Sequence, residues 1–263
     1  MPVSAPPLPR APVIAYEFPF NEAMRAWLRL EHLFDRVALL AARDDATDHH
    51  FALVSMFETL DVAGRSDLRG ELIQEMERHR RQLAALRGNP AVAAPVLEQA
   101  LADLDETCGA LGQAQGKLGQ ALVGNEWLAG LRSRLAIPGG TCSFDLPGYH
   151  AWQHAPAERR RADLAAWVDT LRPWSRAIAL VLGLVRGSGQ VQSVVAEGGR
   201  YQQSLQSARP SQLARVLLPG AGPWVPEISG NRLLLVVRML HDDGSGRLEP
   251  RSEPVPFQLA LCH

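Results

Sequence analysis

The sequence predicts an α+β protein, an N-terminal all-α domain over residues 13–187 followed by a small antiparallel β domain over 188–263, with residues 1–12 as a disordered tail. Three observations predict it. From Asn21 to Arg186 apolar residues recur at intervals of three and four, the spacing of one helix face. At Gly187-Ser188-Gly189 that period stops. Beyond it come short β-type runs divided by turn residues, which read as strands.

The tail carries five prolines and one arginine but no apolar core, so neither a signal nor a transit peptide is expected. Val13–Phe18 (VIAYEF) is a strand candidate, ending at Pro19, that could add to the β domain's sheet. Asn21 fits a helix N-cap, and Met24, Trp27, Leu28, Leu30, Phe34 and Val37 carry the first helix to about Ala42. A second helix runs from Thr47 to Leu60, with Phe51, Val54, Phe57 and Leu60 spaced for one face. Ser66 is the expected cap of a third, whose stripe is Leu68, Leu72, Met76, His79, Leu83 and Leu86.

Gly88-Asn89-Pro90 stops that helix, and a fourth over Ala94–Gly112 repeats the narrow seam with Leu97, Leu101, Leu104, Cys108 and Leu111. The pair predicts an antiparallel helical hairpin. Shorter helices are expected over 118–123, 125–135, 148–154 and 157–171. The helix over 174–186 is apolar on nearly all sides, which predicts the buried centre of the helical part. Strands are expected over 191–196, 213–218, 232–240 and 255–261, with His241–Gly246 as a hairpin loop joining the last two.

Composition excludes several classes. With 46% hydrophobic and 21% charged residues the chain is globular, and no apolar run reaches the roughly 18 residues of a membrane helix. A formal net charge of −1 and 6% aromatic residues argue against a nucleic-acid surface. Cys108, Cys142 and Cys262 are odd in number and scattered, so no disulfide framework is expected and a cytoplasmic protein is. Among 27 basic residues Lys117 is the only lysine, which coding bias explains as readily as function.

Chemistry-bearing clusters are few. Asp48-His49-His50 has metal-ligand types, but adjacent residues on a helix point apart, and no second cluster completes the set. No phosphate-binding glycine motif occurs, and Asp242-Asp243-Gly244 with Glu249 departs from calcium-loop spacing. Cys142 with His150 is the one candidate nucleophilic pair, and a Cys/His-dependent transferase is the alternative function it would serve. No metal, cofactor or catalytic residue is otherwise expected.

The stronger signal is a charge pattern. Between Val195 and Leu240 five arginines (Arg200, Arg209, Arg215, Arg232, Arg238) face two acids (Glu197, Glu227). On a strand Arg232 and Arg238 would share one face about 20 Å apart, framing Leu234 and Val236. Such a strip suits an extended acidic and apolar peptide, or a helix of similar pattern.

Four segments carry a resemblance: YEFPFNEAMRAWLRLEHLF (16–34), ALVSMFETLDVAGRSDLRGEL (52–72), IPGGTCSFDLPGYHAW (137–152) and PEISGNRLLLVVRML (226–240). In collinear order these resemble the ZapD family, cytoplasmic cell-division proteins that bind and bundle filaments of the tubulin-like protein FtsZ. The resemblance implies a homodimer, located at the midcell division ring, whose basic surface binds the FtsZ C-terminal tail, with no enzymatic step, cofactor, nucleic acid or membrane insertion. By motif position it implies partner-binding roles for Arg25, Arg29, Arg65, His150, Arg215 and Arg238, with Arg232 where a lysine is common. Leu234 occupies a strand position that can be basic in the family, and Asn125-Glu126 are neutral and acidic, so compensating charge is expected from Arg200 or Arg232.

Overall fold

The computed structural model describes residues 13–64, 67–205, 210–220 and 222–263. The expectations for the tail (1–12), for Ser66 as a cap and for Arg65 lie outside them. The fold class is α+β as predicted: a helical region, then antiparallel sheets. By contacts the chain divides into Ala26–Leu184 and a second unit made of the N-terminal residues to Arg25 with Val185–His263. No helix among the described residues is long and apolar enough to cross a membrane.

The helical unit is built from α1 (Glu22–Ala41), α2 (Ala46–Ala63), α3 (Leu68–Ala84), α4 (Ala94–Gln113), α5 (Gln120–Val123), α6 (Glu126–Leu135), α7 (Pro147–Gln153), α8 (Ala157–Asp169) and α9 (Arg172–Gly187). Side chains cap the starts. Asn21 Oδ1 accepts from Met24 N at 2.7 Å, Asp45 from Thr47 N at 2.7 Å, and Asn125 from Leu128 N at 3.1 Å. Asp67 caps α3 by accepting from Gly70 N at 3.3 Å. Each such cap contributes about 1 kcal/mol.

The hairpin forms as predicted, because both seams bury: Leu68, Leu72, Met76 and His79 of α3, and Leu97, Leu101, Leu104 and Leu111 of α4. Each fully buried leucine or methionine contributes about 1.5–3 kcal/mol. Exposed pairs Arg80–Asp105 (2.6 Å) and Arg87–Glu98 (2.8 Å) tie the helices across the seam, adding only tenths each. On α2 the buried face is Ala52, Leu53, Met56, Phe57 and Leu60, one step round from the expected stripe, and Phe51 is 52% exposed.

The last helix departs from expectation. α9 buries Ala177, Ile178, Val181, Leu182 and Val185 but exposes Arg176, Ala179 and Gly183. It is amphipathic, and its open side carries the small residues Ala179 and Gly183 beside the charged Arg176. An apolar count without attention to side-chain size mistook it for a central helix.

In the β unit two antiparallel sheets enclose one core. The first has order β1 (Val13–Pro19), β4 (Leu213–Pro219), β8 (Val255–Cys262), β2 (Gln190–Ala196). The second has order β3 (Arg200–Ser204), β6 (Leu234–Asp242), β5 (Trp224–Gly230), with β7 (Leu248–Pro250) also paired to β6. Alternate residues of both sheets point inward: Val216, Leu218, Phe257 and Leu259 from one, Leu235, Val237 and Met239 from the other.

Three strands escape the sequence pattern: β3 is polar, β5 contains Pro226, and β7 is three residues long. The loop expected to join the last two strands instead closes β6 on β7, with His241 opposite Glu249. β8 then belongs to the other sheet. A tight turn hands β2 on to β3: Gly198 and Gly199 have φ of 59° and 72°, and Arg200 N donates to Glu197 O at 3.1 Å. Both central residues need positive φ in such a turn, and a Cβ at Gly199 would sit 2.0 Å from Arg251 O.

Candidate functional site

The clusters that looked chemical are structural. His49 is fully buried: its Nε2 meets Arg43 O at 2.6 Å and its Nδ1 accepts from Arg160 Nε at 2.9 Å. One nitrogen therefore donates and the other accepts, which fixes a neutral tautomer. Arg160, itself only 6% exposed, also donates to the carbonyls of Gln153 (3.1 Å), Ala155 and Asp44. That guanidinium pins the start of α2 to the α7–α8 turn.

His50 and Asp48 are occupied as well. His50 Nδ1 and Tyr149 Oη share a hydrogen bond at 2.6 Å, and burial pushes the imidazole pKa down and the phenol pKa up, so both stay neutral. Asp48 pairs with Arg43 at 3.3 Å. No group of three metal-ligating side chains occurs among the described residues.

Cys142 is exposed, and its thiol donates to Gly139 O at 2.7 Å. His150, on α7, packs instead against His154 with ring centroids 4.4 Å apart and the rings tilted by 53°. Neither contact assembles a nucleophile and base. A groove of about 620 Å³ beside the start of α3 is lined by Arg69, whose guanidinium lies 5.2 Å over Trp174 and donates to the carbonyls of Ala114 (2.6 Å) and Gly116. Its donors are committed to holding the chain.

The basic residues singled out from the sequence are spread over several surfaces. Arg25 and Arg29, four apart, share one face of α1. Arg25 pairs with Glu22 at 3.3 Å, while Arg29 is exposed with no ion pair among the described residues. His150 belongs to the helical unit and is exposed. Arg232 is exposed in the bend before β6, because the strand begins at Leu234 rather than two residues earlier. Alternation therefore does not place it beside Arg238.

Arg215 and Arg238 point in opposite directions. The neighbours of Arg215 on β4, Ala214 and Val216, are buried in the core, and so are Val237 and Met239 beside Arg238 on β6. Each arginine thus projects from the outer face of its own sheet, and the two outer faces lie on opposite sides of the sandwich. They cannot line one groove of one chain.

On the outer face of the second sheet the cross-strand register gathers a set the sequence did not order. Arg200 of β3 lies opposite Arg238 of β6, and Glu227 of β5 lies opposite it on the other side. Met239 N donates to Gly199 O at 2.8 Å, which makes Arg200 and Arg238 a non-hydrogen-bonded pair, the kind whose side chains come closest. Like charges directly opposite destabilise a sheet. Among the described residues, Glu227 is the carboxylate that pairs with Arg238, at 3.0 Å, and Arg200 reaches Gln202 Oε1 at 3.4 Å. Along the same face Leu234, Val236 and Leu240 are half-buried, and Leu233 in the adjoining bend is 66% exposed. The Gly198-Gly199 pair before Arg200 was the available signal for this strand.

On the first sheet Arg215 serves a different purpose. Glu17 of β1 accepts from Arg215 Nε at 2.9 Å and from Arg186 at 2.8 and 2.7 Å. Burial raises the Glu17 carboxyl pKa, but the hydrogen bonds and charges of Arg186 and Arg215 outweigh it and hold the pKa below the ordinary 4.5. A depressed carboxyl pKa stabilises the fold above the unfolded-state value, and the contribution disappears as pH falls through the folded one. Glu17→Gln is expected to destabilise the β unit by about 2 kcal/mol at neutral pH and to flatten the loss of stability below pH ~4.5. Urea unfolding at pH 7 and pH 3.5 measures both.

The model of the ZapD family, described as cell division protein, matches residues 28–238. The match runs from α1 through Arg238 itself, leaving Arg25 three residues outside it. It covers most of the helical unit and carries on through the β unit as far as β6, including the arginine-bearing face of the second sheet. With well over half of its length matched, the chain belongs to the ZapD family of cell division proteins.

Proposed function

We propose that this chain is a non-enzymatic division adaptor, a cytoplasmic homodimer at the midcell ring that binds the C-terminal tail of FtsZ and cross-links its filaments. The observation that carries the reading is the Arg200–Arg238 pair, two arginines directly opposite each other across β3 and β6, with Glu227 beside Arg238 on β5 and an apolar strip alongside. An extended tail with acidic and apolar residues supplies the missing negative charge and covers the strip. Arg232, exposed in the bend before β6, is proposed as a further contact on the strength of the family resemblance. Arg29 and Arg25 on α1, Arg65 and His150 are proposed as further contacts on the strength of the family resemblance. Arg215, committed to Glu17, is proposed to act on the opposite face of the sandwich.

Bundling needs no chemistry. Two tail sites in a symmetric dimer hold two filaments, and many weak sites along a polymer add to strong attachment. Co-sedimentation with FtsZ polymers tests this directly. At low salt the protein is expected to pellet with the polymers and bundle them, and raising salt from 50 to 500 mM should release it, because exposed charge contacts are screened. A protein that stays in the supernatant, or binding indifferent to salt, defeats the proposal.

A further inference from the structure

Two imidazoles share one outer face at the end of α7. His150 and His154 are four residues apart, both exposed, with ring centroids 4.4 Å apart. A carbonyl only accepts, so the 2.9 Å contact between His154 Nδ1 and His150 O places the proton on Nδ1. In the neutral ring that leaves the lone pair on Nε2, the outer nitrogen. The ring of His150 has no hydrogen bond among the described residues, so its lone pair is uncommitted as well.

A histidine whose Nδ1–H is held by a backbone carbonyl is the arrangement that stands behind metal-ligating imidazoles, where it fixes the tautomer and aims the other nitrogen. The platform beneath the pair is rigid. On the inner face of α7, Tyr149 and Trp152 are 2% and 7% exposed and stack on each other. Trp152 Nε1 donates to Asp163 at 2.9 Å, which ties α7 to α8. Little ordering is left to be lost when a ligand binds.

The geometry points to a two-histidine chelate for a divalent transition cation, Cu2+ above all, held by Nε2 of His154 and a ring nitrogen of His150. With metal–nitrogen bonds of about 2.1 Å, each ring centre lies about 3.2 Å from the metal. Rings at right-angled positions then have centres about 4.5 Å apart, and rings at a tetrahedral angle about 5.2 Å. The observed 4.4 Å fits the right angle, the tetragonal preference of Cu2+ and Ni2+ rather than the tetrahedral one of Zn2+. Copper also binds nitrogen ligands more tightly than its neighbours in the series. No third metal-ligating side chain joins the pair among the described residues, so water fills the remaining positions and the ion exchanges with the medium. The inference does not rest on the tail-binding reading of the second sheet.

Isothermal titration of the full-length chain with copper(II) chloride, together with the electron paramagnetic resonance spectrum of the complex, tests it. The tightest Cu2+ bound by the wild type is expected to show splitting from two imidazole nitrogens. His150→Ala and His154→Ala should each weaken that binding at least about tenfold and leave one nitrogen, because the second ligand no longer binds intramolecularly. His154→Asn, which keeps a donor for the His150 carbonyl, should lose the metal equally, separating ligation from a merely structural role. His32→Ala, at an exposed position of α1, is the control and should change nothing. Circular dichroism checks that the variants fold. A wild-type spectrum with a single nitrogen, or affinity unchanged in either alanine variant or in His154→Asn, overturns the site. An equal loss in His32→Ala marks the copper as adventitious and overturns it too.

Discussion

Arg160→Ala is expected to lower the stability of the helical unit by about 3–5 kcal/mol, the loss typical of removing one member of a buried charge-assisted network. The guanidinium is the shared donor to His49 Nδ1 and to the carbonyls of Asp44, Gln153 and Ala155. Its removal strands those acceptors in a site from which water is excluded. Lysine does not rescue it, since one ammonium cannot reproduce a planar fork aimed at several carbonyls. The neighbouring Arg161→Ala is the control: its partner Asp44 is largely exposed, and the change should cost less than about 1 kcal/mol. Denaturant unfolding followed by tryptophan fluorescence reads both, because Trp152 lies 6.2 Å from His49 and packs with Trp127 and Trp167. Equal midpoints for the two variants would contradict the account of His49 as a pinned structural residue.

Arg238→Glu is expected to weaken binding of an FtsZ tail peptide at least about tenfold, and much more at low salt. The trio on the second sheet changes from two arginines against one glutamate to one against two, so its net charge reverses from +1 to −1. Arg238 and Glu227 are both about half exposed, so the fold should not notice. Glu227→Gln should act oppositely and tighten binding, because it leaves both guanidiniums without their carboxylate. Fluorescence anisotropy with a labelled tail peptide gives the affinities, and melting curves check the fold. Unchanged affinity in Arg238→Glu would remove this face from consideration.

Much of the fold was legible because it follows local periodicity. The seams of α3 and α4 repeat strictly, and a stripe of that regularity has one way to bury. β4, β6 and β8 were legible for a similar reason, since their inward positions are aliphatic or aromatic. β3 and β5 were not: a strand such as Arg-Tyr-Gln-Gln-Ser is held by its neighbour's backbone, not by its own pattern. The candidate site was half legible. Arg238 lies among apolar residues as read, but its companion is Arg200, brought alongside by pairing between residues 38 positions apart. Arg232, which the alternation had chosen, sits two residues outside the strand whose alternation was invoked. Arg215 looked like another member until the sandwich placed it on the far side.

The two-glycine turn between β2 and β3 acts as a phase setter for both sheets. Counting back from Glu197 decides which β2 amides look outward, and counting forward decides that Arg200, not Tyr201, stands opposite Arg238. An extra residue between Glu197 and Arg200 that made either strand slip by one would turn its faces over. On one side the exposed Val191 and Val195 of β2 would rotate toward the core; on the other the guanidinium would enter it while Tyr201 left. The outer faces of both sheets are therefore set in one reading frame, and Gly198-Gly199 is its start point.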